Sequence, residues 1–281
     1  MIDPKDIRET TTCNARYIPP KPELLARFHQ LMRADSPDLM KMSDLISHDV
    51  GLSAAVLKNI NSAFFGLKRC VTDIKQAVVL LGTDKVANLI SAYELRRTFS
   101  SESCITLGRF WDSSSDIAEV STWITRELSL SVPVEDVFTI GLFHDCGIPI
   151  MATCFNDYRR TLIEANSNYE TPILEIENKY HDFNHAIAGY MLTDSWGLPD
   201  TVCQAVLQHH EADIWEHLDD RMQLQAMAAL KLAENLVDRF TRSCENIDWN
   251  RNQEHVFKIL NLSPDDFSTF ENRIYELKTT S

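Results

Sequence analysis

Apolar residues recur every three or four positions along most of the chain, and strict two-residue alternation is almost absent. Such spacing puts apolar side chains on one face of an α-helix, so the pattern predicts an all-α fold. The first apolar stripe comprises Leu24, Leu25, Phe28, Leu31 and Met32. It predicts a helix from about Pro22 to Arg33, and Ser43 is a candidate N-cap for the helix that follows.

Helical stripes continue to about Phe99, where the segment Ser100–Gly108, rich in serine and glycine, interrupts the periodicity. We therefore place the main internal boundary in this segment. The predicted organisation is an N-terminal extension over residues 1–17, an N-terminal helical part over 18–99, a helical core over 109–243 and a C-terminal helical tail over 244–281.

Several predicted helices of the core carry a polar residue on an apolar face. The stripes are Ser113 with Ile117, Val120 and Ile124; His144 with Val137, Ile140 and Gly141; His209 with Val202, Ala205 and Val206; and Glu234 beside Ala226, Leu230, Ala233 and Val237. Residues spaced in this way share one side of a helix, which directs the polar member toward the packed interior.

Composition narrows the function classes. A chain of 281 residues with 44% hydrophobic content is globular, and its net charge of −14 opposes binding to a phosphate backbone, so no nucleic-acid partner is expected. No segment approaches ~18 uninterrupted apolar residues, and we expect no membrane span. Seven cysteines without a CxxC pair favour a reducing compartment, and a cytoplasmic location is predicted.

Potential metal ligands are spread over the core: the adjacent pair His144-Asp145, then His185, the doublet His209-His210, and Glu234. Imidazole and carboxylate groups together suit divalent iron, manganese, nickel or zinc. Two such ions ~3.5–4 Å apart can clamp a phosphate group and activate water. These six residues are therefore candidate metal ligands, and metal-assisted phosphoester hydrolysis is the chemistry that they suggest.

Structural roles compete with metal ligation at these positions. The pair His144-Asp145 also fits a buried hydrogen-bonded pair in which the carboxylate fixes the tautomer of the imidazole, and His185 can equally serve packing. Successive helical positions diverge by about 100°, so only one of His209 and His210 easily joins a given metal, and an exposed role is the simpler one for His210. Glu234, if buried, needs a metal, an arginine or a histidine as partner.

The order of these residues resembles the HD superfamily of metal-dependent phosphohydrolases, whose pattern is a histidine, a His-Asp pair, further histidines and a final aspartate. The pair stands here in Gly141-Leu142-Phe143-His144-Asp145-Cys146-Gly147. The first histidine of the superfamily usually follows a tryptophan by two positions, and after Trp111 that position holds Ser113. The final aspartate falls on Ala233-Glu234, which keeps the carboxylate on a longer arm. The resemblance implies a metal site with one degenerate ligand position.

Motifs over roughly residues 18 to 240 resemble the HDOD subfamily more closely. They are Ile18-Pro19-Pro20-Lys21-Pro22, Asp49-Val50-Gly51-Leu52 through Asn61-Ser62-Ala63-Phe64-Phe65-Gly66, Ile74 through Leu80-Leu81-Gly82, His185-Ala186-Ile187-Ala188-Gly189, Trp196-Gly197-Leu198-Pro199 and His209-His210-Glu211. Such ordered agreement is specific because six separate motifs occur in sequence.

The HDOD resemblance implies a bacterial signalling or regulatory protein, built as an HD-like multi-helix bundle with an N-terminal helical subdomain. Members of this family frequently lack parts of the metal site. The expected function is regulation through a signalling protein or a small phosphorylated ligand, and a divalent-metal phosphohydrolase is the alternative. Glu211 leads into Ala212-Asp213-Ile214-Trp215 rather than the Gly-Tyr-Pro stretch of HD-GYP phosphodiesterases, which argues against hydrolysis of cyclic dinucleotides.

Overall fold

The computed structural model describes residues 18–34, 37–61, 69–99, 103–168, 170–211 and 213–279. Regular structure within these ranges is helical, and no β-strand occurs in them, which confirms the predicted all-α fold. Residues 62–66 of the second HDOD-like motif lie outside the described ranges. The chain divides into two units, residues 20–98 with 277–281 and residues 1–19 with 99–276.

The smaller unit contains five helices in its described part. They are α1 Glu23–Met32, α2 Leu39–Ser47, α3 Val50–Ile60, α4 Ile74–Leu81 and α5 Thr83–Thr98. Helix α1 packs against α5, and α2 packs against α4. Their apolar stripes form a core in which Leu25, Phe28, Met42, Ile46 and Leu52 are fully buried.

Aspartate side chains start three of these helices. Asp38 accepts hydrogen bonds from the backbone N–H groups of Met40 and Lys41, at 3.0 and 3.2 Å. Asp49 and Asp73 do the same for α3 and α4. The prediction that Ser43 is an N-cap is wrong, because Ser43 lies inside α2, is buried, and donates its hydroxyl to the Leu39 carbonyl at 2.7 Å. A serine in mid-helix can satisfy its hydroxyl in this way, so its identity alone does not mark a helix start.

The larger unit contains the remaining helices. They are α6 Leu107–Glu127, α7 Val134–Phe143, α8 Gly147–Cys154, α9 Tyr158–Ser167, α10 Ile173–Tyr180, α11 His185–Trp196, α12 Asp200–Gln208, α13 Ile214–His217, α14 Arg221–Arg242, α15 Trp249–Leu260 and α16 Pro264–Thr279. The long helices α6 and α14 pack on each other and on α7, while α11 packs on α8 and α12. This arrangement brings α6, α7, α11, α12 and α14 around one interior.

Helix α6 begins earlier than the sequence indicated. The helical core was predicted to start at residue 109, whereas the helix begins at Leu107 and includes Gly108 in its first turn. The first turn of a helix tolerates glycine, since its N–H groups have no partner within the helix. The predicted domain boundaries remain predictions.

The consecutive helices α7 and α8 form the most apolar stretch. Among the described residues, only Val134–Cys154 is long and apolar enough to cross a membrane by length and composition, with a mean hydropathy of 1.4. Within the fold, 78% of that stretch is buried against neighbouring helices. A helix in the core of a globular protein can be as apolar as a membrane-spanning helix, because both are removed from water on all sides.

Candidate metal centre

The end of α7 fixes the orientation of His144. His144 is the C-cap residue, and its backbone N–H donates to the Ile140 carbonyl at 2.8 Å. Its ring Nδ1 lies 2.8 Å from the Gly141 carbonyl, which can only accept, so Nδ1 carries the hydrogen. Nε2 then points away from the helix and lies 3.3 Å from Asp145 Oδ2. The helix end therefore directs the imidazole Nε2 toward a carboxylate.

Asp145 joins the histidines of two further helices. Its Oδ1 lies 3.2 Å from His209 Nε2 and 3.4 Å from His185 Nε2. His209 is held by a contact of 2.8 Å between its Nδ1 and the Val206 carbonyl, which leaves Nε2 facing Asp145. Both histidines are buried, whereas the Asp145 side chain is 26% exposed. One carboxylate thus meets three imidazoles and still faces solvent.

His210 adds a fourth potential metal ligand to Asp145, His185 and His209. Its ring centroid lies 4.1 Å from that of His209 and 5.1 Å from that of His185. Nδ1 of His210 lies 2.7 Å from Asp248 Oδ2, and the side chain is only 13% exposed. The interpretation of His210 as an exposed residue is therefore wrong. One ligand atom each from Asp145, His185, His209 and His210 lies within 4.8 Å of the others.

The remaining candidates, Ser113 and Glu234, line the same cavity as His144 and Asp145. Glu234 Oε1 is 3.5 Å from His144 Nε2, and Glu234 Oε2 is 2.8 Å from the ammonium of Lys231. The partner that we expected for a buried Glu234 was a metal, an arginine or a histidine, so the buried lysine was missed. Ser113 on α6 is half-buried and lines the same cavity as His144 and Glu234.

Sequence reasoning also missed Glu177, the carboxylate that holds His185 in place. Glu177 on α10 is fully buried, and its two oxygens lie 2.9 and 2.8 Å from His185 Nδ1. It also accepts the backbone N–H of His185 at 3.0 Å and the hydroxyl of Tyr158. A carboxylate behind a ligating histidine fixes its tautomer and raises its basicity. Glu177 shares a helical face with Ile173 and Ile176, whereas the exposed Glu175 lies off that face, so the apolar spacing was a signal that could have found it.

Neighbouring charges and burial shift the pKa values of the residues in the cluster. Burial would raise the pKa of Asp145, but the surrounding histidines outweigh burial and hold it well below its usual value. Burial would lower the pKa of His185, yet Glu177 and Asp145 raise it to about 10. For His209, burial and the neighbouring His210 lower the pKa well below the usual value. Asp145 is therefore an anion, and a cation that binds His185 Nε2 has to displace a proton.

The geometry and the chemistry of these residues suit a divalent ion. His185 Nε2 is buried, and its 3.4 Å contact with Asp145 lacks the alignment of a hydrogen bond. Buried polar atoms are nearly always hydrogen-bonded, so a nitrogen left without a partner beside a carboxylate points to a ligand. Three imidazoles and one carboxylate make a donor set for iron, manganese, nickel or zinc.

A cavity of about 300 Å³ opens beside this cluster. Its lining includes His144, Ser113, the arginines Arg109 and Arg242, and the carboxylates Asp145, Glu234, Asp238, Glu245 and Asp248. Both arginines are exposed, and Arg242 is paired with Asp238 at 3.2 Å. The cavity has the size of the smallest ligand pockets and places cationic side chains near the carboxylate-histidine cluster.

Replacing Glu177 with glutamine is expected to weaken metal binding about 10–100-fold, because the His185 ring loses the carboxylate that orients it. Titration calorimetry with Mn²⁺ or Zn²⁺ measures the effect. The matched control is Glu175→Gln on the same helix, where the side chain is exposed and affinity should stay unchanged. Equal affinities in both variants would show that Glu177 has only a packing role.

Comparison with known proteins identifies the family of the chain. The HDOD domain family model matches residues 18–212. An uncharacterized protein of Treponema pallidum (strain Nichols) is 26% identical over 193 residues, which cover 67% of this chain and 37% of that protein. The chain thus spans little more than a third of the length of this relative.

Solved structures share the fold at low sequence identity. A Shewanella amazonensis SB2B protein named "Putative metal-dependent phosphohydrolase" superposes with a TM-score of 0.66 at 18% identity, covering 97% of this chain and 95% of that one. A Marinobacter aquaeolei VT8 protein named "Putative signal transduction protein" gives 0.66 at 18% identity, covering 94% and 59%. These likenesses establish the helical fold.

Proposed function

Since the chain belongs to the HDOD domain family, we propose that it is a bacterial regulatory protein whose histidine-aspartate pocket binds a divalent ion and a small phosphorylated ligand. The observation that carries the proposal is the convergence of Asp145, His185, His209 and His210 within 4.8 Å. When bound, a divalent ion supplies positive charge that attracts and polarises a phosphoryl oxygen.

The cavity beside the cluster supports a phosphorylated ligand. Arg109 and Arg242 line it, and a guanidinium group matches the geometry of a phosphate with two parallel hydrogen bonds. The volume of about 300 Å³ suits a small molecule. The chain itself is strongly acidic, which favours a compact anion held by local cations over an extended polyanion.

We favour regulation over turnover because Ser113 and Glu234 are weak metal ligands. Ser113 stands where the HD pattern has its first histidine, and a neutral hydroxyl is a poor ligand for these metals. The Glu234 carboxylate is already paired with Lys231. The name of the Marinobacter aquaeolei structure, which refers to signal transduction, points the same way.

A metal-dependent phosphohydrolase is the second candidate. The open cavity next to Asp145 gives a phosphoester access to the cluster, and the Shewanella amazonensis structure carries that activity in its name. In this reading His144, Asp145, His185, His209, His210 and Glu234 would hold the ions.

One experiment separates the two candidates. Untagged protein purified without chelator is assayed for metal by elemental mass spectrometry, and then for hydrolysis of a panel of phosphomonoesters and phosphodiesters with added Mn²⁺. Bound metal without turnover, together with saturable binding of a panel member by calorimetry, supports the regulatory function. Robust metal-dependent turnover overturns it in favour of the phosphohydrolase, and a folded protein that takes up no metal overturns both.

A further inference from the structure

Lys231 is a buried cation inside the candidate metal centre. Its side chain is 3% exposed, and it lies on α14 one turn before Glu234. The ammonium nitrogen is 2.8 Å from Glu234 Oε2. We infer that the Lys231 ammonium takes the charge-compensating place of a second cation, so that the pocket accepts one divalent ion and not two.

Both oxygens of Glu234 lie close to a basic group. Oε1 lies 3.5 Å from His144 Nε2, and Oε2 forms the ion pair with Lys231. A divalent ion that bound Glu234 through Oε2 would have to break this pair and leave an ammonium in the interior without its counter-ion. An ion that bound through Oε1 alone would meet a carboxylate whose charge Lys231 already compensates. Removing one partner of a buried ion pair is strongly unfavourable, because the other charge stays desolvated.

Ser113 is a second weak metal ligand beside Glu234. It lines the cavity together with His144 and Glu234, and it offers a neutral hydroxyl. The donors beside Ser113 are therefore the His144 imidazole, which Asp145 also contacts, and the Glu234 carboxylate, which is paired with Lys231. The cluster of Asp145, His185, His209 and His210 offers one carboxylate and three imidazoles. It includes the His185 Nε2 that lacks a hydrogen-bond partner. This cluster is a stronger set of metal ligands than the donors beside Ser113, and a single ion binds to it.

This inference rests on the proposed metal binding, and it is tested by stoichiometry. Each protein is saturated with Mn²⁺, desalted and measured by elemental mass spectrometry and electron paramagnetic resonance. We expect one equivalent and an isolated-ion spectrum for the wild type and for Ser113→His. The double variant Ser113→His/Lys231→Met should take up two equivalents and give the spectrum of a coupled pair. The control Ser113→His/Lys258→Met, which removes an exposed lysine, should stay at one.

The outcomes separate this inference from the proposed function. Two equivalents in the wild type overturn the inference and leave metal binding intact. No metal in the wild type overturns both. If the double variant does not fold by circular dichroism, Ser113→His/Lys231→Gln replaces it, since glutamine keeps a donor for Glu234 without the charge. One equivalent in a folded variant that lacks the Lys231 charge also overturns the inference.

Discussion

Replacing Asp145 with alanine is expected to abolish metal binding. Asp145 is the group on which the cluster converges, with Oδ2 3.3 Å from His144 Nε2 and Oδ1 3.2 Å from His209 Nε2. Without this carboxylate, imidazoles face one another with no anion between them. Elemental mass spectrometry should find less than about a tenth of the wild-type metal content, because a lost charged ligand costs more than the ~10-fold of an outer-shell change.

Thermal melting gives a second measure of the same loss. An ion at 100 times its Kd stabilises the fold by about 2.7 kcal/mol. At about 2–4 °C per kcal/mol, that raises the Tm of the wild type by roughly 5–11 °C over the same protein in chelator. Asp145→Ala should show no such difference. The control is Asp112→Ala, an exposed carboxylate one residue before Ser113, and metal retained in Asp145→Ala would refute the assignment.

Replacing Gly147 with alanine is expected to destabilise the larger unit by about 3 kcal/mol or more. A Cβ at Gly147 would lie 1.9 Å from the carbonyl oxygen of His185 and 2.8 Å from the backbone nitrogen of Gly189. These are backbone atoms, so no side-chain rotation relieves the clash. The close crossing of α8 and α11 also sets the distance between Asp145 and His185, so metal affinity should fall as well.

The Tm measured by circular dichroism should fall by about 6–12 °C in Gly147→Ala. Gly108→Ala is the control, because its Cβ meets nothing within 4 Å in the first turn of α6. Alanine there should leave stability unchanged or raise it by up to about 1 kcal/mol. A Tm for Gly147→Ala equal to that of the control would show that the two helices do not cross as closely as described.

The helices were predictable because their signal is local. Apolar spacing located α1 to within one residue of Pro22 and Arg33, and the glycine after Trp196 ends α11 in the left-handed conformation at φ 73°. Helix starts were less predictable. Serine and aspartate both cap helices, so residue type does not distinguish the predicted cap Ser43 from Asp38, which caps the helix in the structure.

The sequence by itself determined the all-α fold, the family and the residue types of the candidate metal centre, because spacing and residue order are properties of the chain. Only the tertiary structure decided which of those residues meet. It brought His210 into the cluster, placed Glu177 behind His185 and buried Lys231 against Glu234. The physical reason is that an ionisable side chain acts through neighbours within a few ångströms, and the packing of the helices decides which side chains lie that close.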